Sequence, residues 1–335
     1  MLTAEVMAMD GLKEAPVVDE SIYDVVVVGG GAAGLNAALV LGRARRRVAV
    51  IDAGEPRNAP AAHMQGFLSR DGMSPAALLE VGRAEVAGYG VDLIDARVEH
   101  IGPGFSVRLE GGAAVAARRV LVASGLRDEL PDLPGVAARW GRDVLHCPYC
   151  HGYEVRDRPL GVVATGPGAV HQALLLPEWS QDVVFFTHEA HGARGFAVGE
   201  DERRQLTARG VRIVEGAVKQ LVLAGDQLVG VELAEGQVVR REAVFVQSRM
   251  VPRDTLLIAL GCAVDDDGWV ITDGAGRTSV HGVWAVGNVA DRKAQVVTAA
   301  GMGSAAAIAV HQDLVAEDTQ RAVESLRAGT AVPAV

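Results

Sequence analysis

The sequence predicts an α/β protein with two Rossmann-like nucleotide-binding domains of the three-layer ββα type, the second inserted into the first. Three observations support this: a glycine-rich turn between a buried strand and a helix, a second such turn later, and a final segment in the style of the first unit. We expect a solvated N-terminal extension at 1–22, a first domain formed by 23–127 and 253–335, and an inserted domain at 128–252.

Composition limits the function classes. The chain has 335 residues, of which 49% are hydrophobic and 22% charged, as in ordinary globular proteins. Acidic residues outnumber basic ones by 42 to 32, which disfavours nucleic acid as a partner. No apolar run reaches the roughly 20 residues that span a bilayer, so no membrane partner is expected. Three cysteines do not form a disulfide scaffold, which predicts a reducing, cytoplasmic location.

The first unit begins with a short β-branched run. Asp24–Val28 is typical of a strand buried on both faces of a parallel sheet, and Gly29–Gly34 follows it directly. Leu35–Arg45 is predicted to be a helix and Arg47–Asp52 the next strand. Together these segments form a complete βαβ unit.

The turn of this unit matches the dinucleotide fingerprint. Gly29 allows the tight turn, Gly31 allows backbone N–H groups to approach a pyrophosphate, and Gly34 allows the helix to pack on the strand. Asp52, at the end of the second strand, can accept hydrogen bonds from ribose hydroxyls. A glycine-rich turn without a ligand is the alternative, and the strand, helix and acid in the right order disfavour it.

The remaining elements alternate in the same way. Polar, proline-containing stretches separate the two units and are interpreted as linkers. The main predicted elements are strands at Val120–Gly125 and Leu160–Thr165, a strand and turn at Val283–Asn288, a helix at Val296–Leu314, and linkers at Leu126–Gly135 and Ser248–Asp254.

A Cys147-Pro148-Tyr149-Cys150 motif lies between the two units, flanked by His146 and His151. A zinc site is disfavoured because four convergent ligands are lacking, and no metal is expected. A glutaredoxin-type site uses the same tetrapeptide but belongs to a small separate domain, and a pair of inert thiols is a further alternative. We favour a redox-active disulfide beside a flavin, where a neighbouring histidine moves protons.

The second unit has an altered fingerprint. Gly166 and Gly168 are present, but His171 replaces the last small residue. His188 and Glu189 follow the next strand, where a 2′-phosphate needs arginine. We therefore expect NADPH binding to be weak or lost, while Glu189 leaves NADH open.

A fourth motif precedes the last helix. Gly287-Asn288 is followed by Ala294-Gln295-Val296 and a small-residue helix start. A helix N-terminus there can present N–H groups to an electron-rich ring carbonyl. A buried strand followed by a core helix is the structural alternative.

In order and spacing these motifs resemble the low-molecular-weight thioredoxin reductases over residues 23–315. The resemblance is carried by Gly29–Gly34, Cys147–Cys150 and Thr278–Asn288. It implies FAD in the first unit, a NADPH-type fold in the inserted one, and a homodimer. It also implies that Cys150 faces the flavin and that Cys147 exchanges with substrate.

Three departures narrow the resemblance. His151 stands where the family usually has Asp, His188 and Glu189 replace the basic pair that holds the NADPH phosphate, and Asn288 replaces an Asp. The first two resemble the branch of dithiol oxidases that close the disulfide of natural products such as holomycin and gliotoxin. The holomycin type is the most similar.

The resemblance implies an FAD-dependent oxidase that takes a small-molecule dithiol and O2. A reductase driven by NAD(P)H is the alternative, and a flavin-bearing redox sensor without turnover is a third hypothesis. The expected catalytic residues are Cys147, Cys150, His151 and His146. The expected cofactor residues are Gly29, Gly31, Ala33, Gly34, Asp52, Asn58, His63, Ala123, Gly125, Gly287, Asn288, Gln295 and Val296.

Overall fold

The computed structural model describes residues 22–188 and 198–328. The early strands are β1 (Tyr23–Val28), β2 (Val48–Asp52), β3 (Asp92–Asp95), β4 (Val98–Ile101), β5 (Ser106–Leu109), β6 (Ala114–Val122), β7 (Leu126–Glu129) and β8 (Val144–Leu145). The later strands are β9 (Leu160–Val163), β10 (Val183–Phe186), β11 (Arg212–Val214), β12 (Val218–Ala224), β13 (Gln227–Leu233), β14 (Val238–Arg240), β15 (Ala243–Val246), β16 (Arg249–Pro252) and β17 (Val283–Ala285). The helices are α1 (Ala32–Arg43), α2 (Pro75–Ala87), α3 (Val136–Arg139), α4 (Pro148–His151), α5 (Ala169–Leu175), α6 (Glu200–Ala208), α7 (Thr255–Ala259) and α8 (Val296–Arg327).

Two parallel sheets share one strand order. The first runs β3-β2-β1-β6 with β17 also paired to β6, and the second runs β11-β10-β9-β15-β8. In each, the first strand of the unit lies at the centre, and β1 and β9 are buried because their valines pack against layers on both faces. The predicted fold class, with two Rossmann-like units, is confirmed.

Antiparallel strands extend both units. The first half of β6 pairs with β5, and β5 pairs with β4. Strands β12, β13 and β14 form a separate three-stranded antiparallel sheet beside the second unit. Within the described part of the chain, no helix is both long and apolar enough to cross a membrane.

The two predicted linkers are not linkers throughout. Leu126–Glu129 and Arg249–Pro252 form β7 and β16, which pair antiparallel with Glu129 opposite Arg249. Polar side chains and Pro252 are tolerated here because a two-stranded ribbon leaves both edges open. The chain leaves the first sheet through β7 and returns through β16. The predicted domain boundaries at 127/128 and 252/253 fall within this ribbon and remain predictions.

Two helices approach each other closely behind the first sheet. A Cβ at Gly303 of α8 would overlap the main-chain carbonyl of Ala33 in α1, so only glycine allows this approach. Helix α8 also continues to Arg327, beyond the predicted end at Leu314. Helix α1 begins three residues earlier than predicted and ends before Arg45, whose φ of +60° is incompatible with a helix.

Some sequence predictions fall outside the described residues. Residues 1–21 of the predicted extension, Glu189 with its predicted role at a ribose, and residues 329–335 of the first domain belong to this group.

Candidate active site

One cavity of about 1480 Å³ joins the two units. Its first wall is the β1–α1 turn, its second is the start of α8, and its third is the loop that carries Cys147 and Cys150. The cavity opens at the carboxyl ends of the parallel strands, which is where open α/β sheets bind their ligands. The CxxC motif and the predicted dinucleotide turn thus face one shared cavity.

The β1–α1 turn has the geometry of a dinucleotide cradle. Gly29 has φ +106°, and a Cβ there would collide with the carbonyl of Ala123. A Cβ at Gly34 would overlap the carbonyl of Gly29, so α1 packs directly on the turn. Gly31, by contrast, would meet no heavy atom within 4 Å. The turn is therefore closed toward the protein and open toward the cavity.

Asp52 supports the same turn. Its Oδ1 accepts a hydrogen bond from the Gly30 N–H at 3.0 Å. The carboxylate stands at the end of β2 and lines the cavity, and its Oδ2 lies 3.9 Å from Nη1 of Arg83. A ribose hydroxyl at this oxygen would share it with Arg83.

The start of α8 forms the opposite wall. Gly287 has φ +71° and leads from β17 into a short 3-10 turn, and Gln295 is the N-cap of α8 without a side-chain cap. The first N–H groups of α8 therefore face the cavity without an intrahelical partner. The Asn288 amide donates to the carbonyls of Asp291 and Ala294, both at 2.9 Å. Both bonds are made by the side-chain nitrogen of Asn288, so a hydroxyl of a bound cofactor would compete with them for these N–H groups.

Cys147 and Cys150 form a disulfide with a Cα–Cα distance of 5.3 Å. Cys147 is the N-cap of α4, and its carbonyl accepts from the N–H groups of Cys150 and His151, both at 3.2 Å. This short turn follows from the i, i+3 spacing with Pro148 at the first helical position. A helix N-terminus favours the thiolate, so a reduced Cys147 has electrostatic support.

His146 and His151 flank this disulfide and differ in their contacts. Nδ1 of His146 lies 3.2 Å from the Val246 carbonyl, to which it donates in the neutral form. Burial lowers the pKa of His146, although the Val246 hydrogen bond and the Asp128 carboxylate act in the opposite direction. Burial also lowers the pKa of His151, although the charge of Glu154 acts in the opposite direction. Both rings are therefore neutral at pH 7. Nδ1 of His151 is buried and has no hydrogen-bond partner.

An ion pair with a largely buried carboxylate lies near His146 and was not predicted from the sequence. Arg57 contacts Asp128 through two hydrogen bonds of 2.7 and 2.9 Å, and Ser248 donates to the same carboxylate at 2.7 Å. Burial alone raises the pKa of Asp128, but the hydrogen bonds and charge of Arg57 outweigh it and hold that pKa below its usual range. Arg57 also donates to Asn288 at 3.3 Å. The cluster ties the segment that carries Arg57, between β2 and α2, to β7, and only the fold brings its members together.

Most of the predicted site residues line the cavity. All four predicted redox residues line the cavity, and so do the predicted cofactor residues except Gly34, which lies behind the turn. His63 lines the cavity with an exposed side chain, while His188 accepts the Val218 N–H with its Nδ1 at 3.2 Å. The cavity-lining cofactor residues are Gly29, Gly31, Ala33, Asp52, Asn58, His63, Ala123, Gly125, Gly287, Asn288, Gln295 and Val296.

Known proteins match this arrangement. The sequence profile of the pyridine nucleotide-disulphide oxidoreductases matches residues 23–303. A thioredoxin reductase named sirT from Leptosphaeria maculans is 31% identical over 87% of this chain and 94% of its own length. Thioredoxin reductase tcpT from Claviceps purpurea is 29% identical over 80% of this chain and 87% of its own. The crystal structure of HlmI superposes with a TM-score of 0.90 at 59% identity and covers 94% of this chain and all of that one.

Proposed function

Because the chain belongs to the pyridine nucleotide-disulphide oxidoreductase family and is an FAD-dependent oxidoreductase, we propose that it is a dithiol oxidase. Its substrate would be a small-molecule dithiol of the holomycin type, which leaves as an intramolecular disulfide. The observation that carries the proposal is the shared cavity, in which the Cys147–Cys150 disulfide faces the open β1–α1 turn.

The residues of the first unit fit FAD. The closed side of the turn at Gly29 and its open side at Gly31 leave room for a pyrophosphate against free N–H groups. Asp52 would hold the adenosine ribose, and the N-terminus of α8 at Gln295 and Val296 would face the electron-rich end of the isoalloxazine ring. The chemistry that FAD supplies when bound is acceptance of an electron pair from the reduced cysteines, and its delivery to O2 gives H2O2.

The protein side of the reaction is thiol–disulfide exchange. One substrate thiolate attacks Cys147, forms a mixed disulfide and displaces the thiolate of Cys150. The second substrate thiolate then attacks the first substrate sulfur, which is bound to Cys147 in the mixed disulfide, and displaces the thiolate of Cys147. The substrate loses two electrons and two protons as its S–S bond forms, and the Cys147–Cys150 pair gains the two electrons. Attack at Cys147 rather than Cys150 is taken from the family resemblance.

A neutral histidine is the natural acceptor for the first proton, because the thiolate and not the thiol is the nucleophile. His151 follows Cys150 directly and lines the cavity, and its buried Nδ1 has no hydrogen-bond partner that would fix the ring's tautomer. His146 has one ring nitrogen committed to Val246, so only Nε2 remains. We assign the proton acceptor to His151 and a supporting role to His146.

Anaerobic reduction of the flavin tests this proposal. Dithiothreitol, NADH and NADPH would each be added to separate samples of oxidised holoenzyme, and the loss of flavin absorbance near 450 nm followed. Bleaching by the dithiol that air reverses is expected, and Cys150→Ser is the control that must not bleach. Rapid bleaching by a nicotinamide with no response to the dithiol would instead support the alternative, a disulfide reductase. The homodimer and the cytoplasmic location remain predictions.

A further inference from the structure

The second unit repeats the first, strand for strand. In the first unit β1 pairs with β6, and Val28 lies opposite Val122. In the second unit β9 pairs with β15, and Val163 lies opposite Val246. The residue after each partner strand therefore stands beside the glycine-rich turn of its unit. This residue is Ala123 in the first unit and Gln247 in the second.

That glutamine covers the second turn. A Cβ at Gly168 would lie 2.8 Å from Oε1 of Gln247, and a Cβ at Gly166 would lie 3.5 Å from Cβ of Gln247. The stem and the carboxamide thus extend over both glycines. At the matching position of the first unit, Gly31 meets nothing within 4 Å. The space that a pyrophosphate needs is open in the first unit and filled in the second.

The side chain is also fixed at its base. The Gln247 N–H donates to the Thr165 hydroxyl at 2.9 Å, and that hydroxyl donates to the Gln247 carbonyl at 3.0 Å. This backbone pairing fixes the Cβ of Gln247 beside Gly166 in every rotamer. In the observed rotamer the carboxamide also covers Gly168.

The second turn also lacks donors for an anion. Pro167 has no N–H group, and the N–H of Ala169 is already bonded to the Gly166 carbonyl at 3.1 Å. A pyrophosphate is held at such a turn by several free N–H groups. Two of them are missing before the Gln247 side chain is considered.

The helix after this turn supports the redox loop instead. Gln172 of α5 is 3% exposed, and its amide donates to the carbonyl of His146, the residue before Cys147. His188, two residues after β10, accepts the Val218 N–H with its Nδ1. Gln172 and the Nδ1 of His188 are thus already used in hydrogen bonds within the protein.

We propose that the second unit excludes nicotinamide dinucleotides and that Gln247 and Pro167 together exclude them. The family implies such a cofactor, and these residues do not fit it. The inference concerns cofactor choice and holds whichever dithiol the enzyme oxidises.

Binding of NADH and NADPH to the oxidised holoenzyme, measured by isothermal titration calorimetry, tests this. For the wild-type protein we expect no saturable binding tighter than about 1 mM. Opening the turn and restoring its donor with Pro167→Ala/Gln247→Ala should bring the Kd of at least one nucleotide below about 0.1 mM, a tenfold gain. Gln237→Ala, which removes an exposed glutamine of the same unit, should behave as wild type.

Two results would overturn the proposal: binding to the wild-type protein tighter than about 1 mM, or a double variant that gains less than tenfold. Flavin content of each variant reports whether it folds. O2 uptake with dithiothreitol reports separately on the oxidase reaction, so failure of one idea is distinguishable from failure of the other.

Discussion

The Arg57–Asp128 pair offers the sharpest energetic prediction. The side chain of Asp128 is only 9% exposed, and that of Arg57 is 27% exposed. Arg57→Ala removes two charge-assisted hydrogen bonds and leaves the carboxylate with Ser248 as its remaining donor. Loss of one partner of a buried pair costs about 3–5 kcal/mol of unfolding free energy.

Protonation limits that cost. An unpaired carboxylate can take up a proton, which at pH 7 costs about 4 kcal/mol relative to an ordinary aspartate with a pKa near 3.9. The expected loss for Arg57→Ala is therefore about 3–4 kcal/mol at pH 7 and about 1.5 kcal/mol at pH 5. In the wild-type protein Arg57 keeps the pKa of Asp128 low, so its contribution is present above the unfolded pKa and disappears only as the pH falls through the folded one.

Urea denaturation at a fixed excess of FAD, at pH 5 and pH 7, measures this. The matched controls are Asp128→Asn and the double variant Arg57→Ala/Asp128→Asn, because Arg57→Ala should lose its pH dependence once the carboxyl group is gone. A cost below about 1 kcal/mol at pH 7, or the same cost at both pH values, would refute the reasoning.

Three further predictions concern the active site and the packing of its helices. His151→Ala should slow anaerobic flavin reduction by dithiothreitol about 100-fold at pH 7. Because burial lowers the pKa of His151, the wild-type rate should fall only below about pH 6.5, and stopped-flow rates of the variant that match wild type at every pH would exclude His151 as the proton acceptor. Gly303→Ala should destabilise the fold by more than about 3 kcal/mol, since the new methyl group overlaps a backbone carbonyl; its control, Gly301→Ala, points into open space and should stabilise α8 by up to about 1 kcal/mol in the same urea titration. Gly31→Ala should leave the melting temperature of the apoprotein unchanged and weaken FAD at least tenfold, and unchanged affinity in a fluorescence titration would show that the pyrophosphate lies elsewhere.

The sequence predicted those elements whose pattern lies within consecutive residues. Asp24–Val28 and Gly29–Gly34 identify a strand and its turn because burial on both faces and the fingerprint glycines are visible in consecutive residues. The turn also lines the cavity, because it stands at the carboxyl end of a parallel strand.

Partners distant in the sequence escaped prediction. Glu129 and Arg249 pair across 120 residues, and nothing in either polar stretch indicates the other. Gln247 has no motif of its own, and its effect becomes visible only when the register of β9 and β15 places it over Gly168. The last turns of α8 were missed because the buried stripe ends near Leu314, after which surface ion pairs such as Arg321 with Glu317 continue the helix.

The ribbon of β7 and β16 has a consequence for how this chain can be rebuilt. Because Glu129 and Arg249 are paired neighbours, the chain enters and leaves the inserted unit at two points only about 5 Å apart. A hairpin turn of two residues would bridge that distance. We therefore expect that residues 130–248 can be removed, or exchanged for the inserted unit of a relative, without changing the strand order of the first sheet. A chimaera joined at β7 and β16 would keep the strand order of the first unit, which makes this ribbon the natural place to join parts of related proteins.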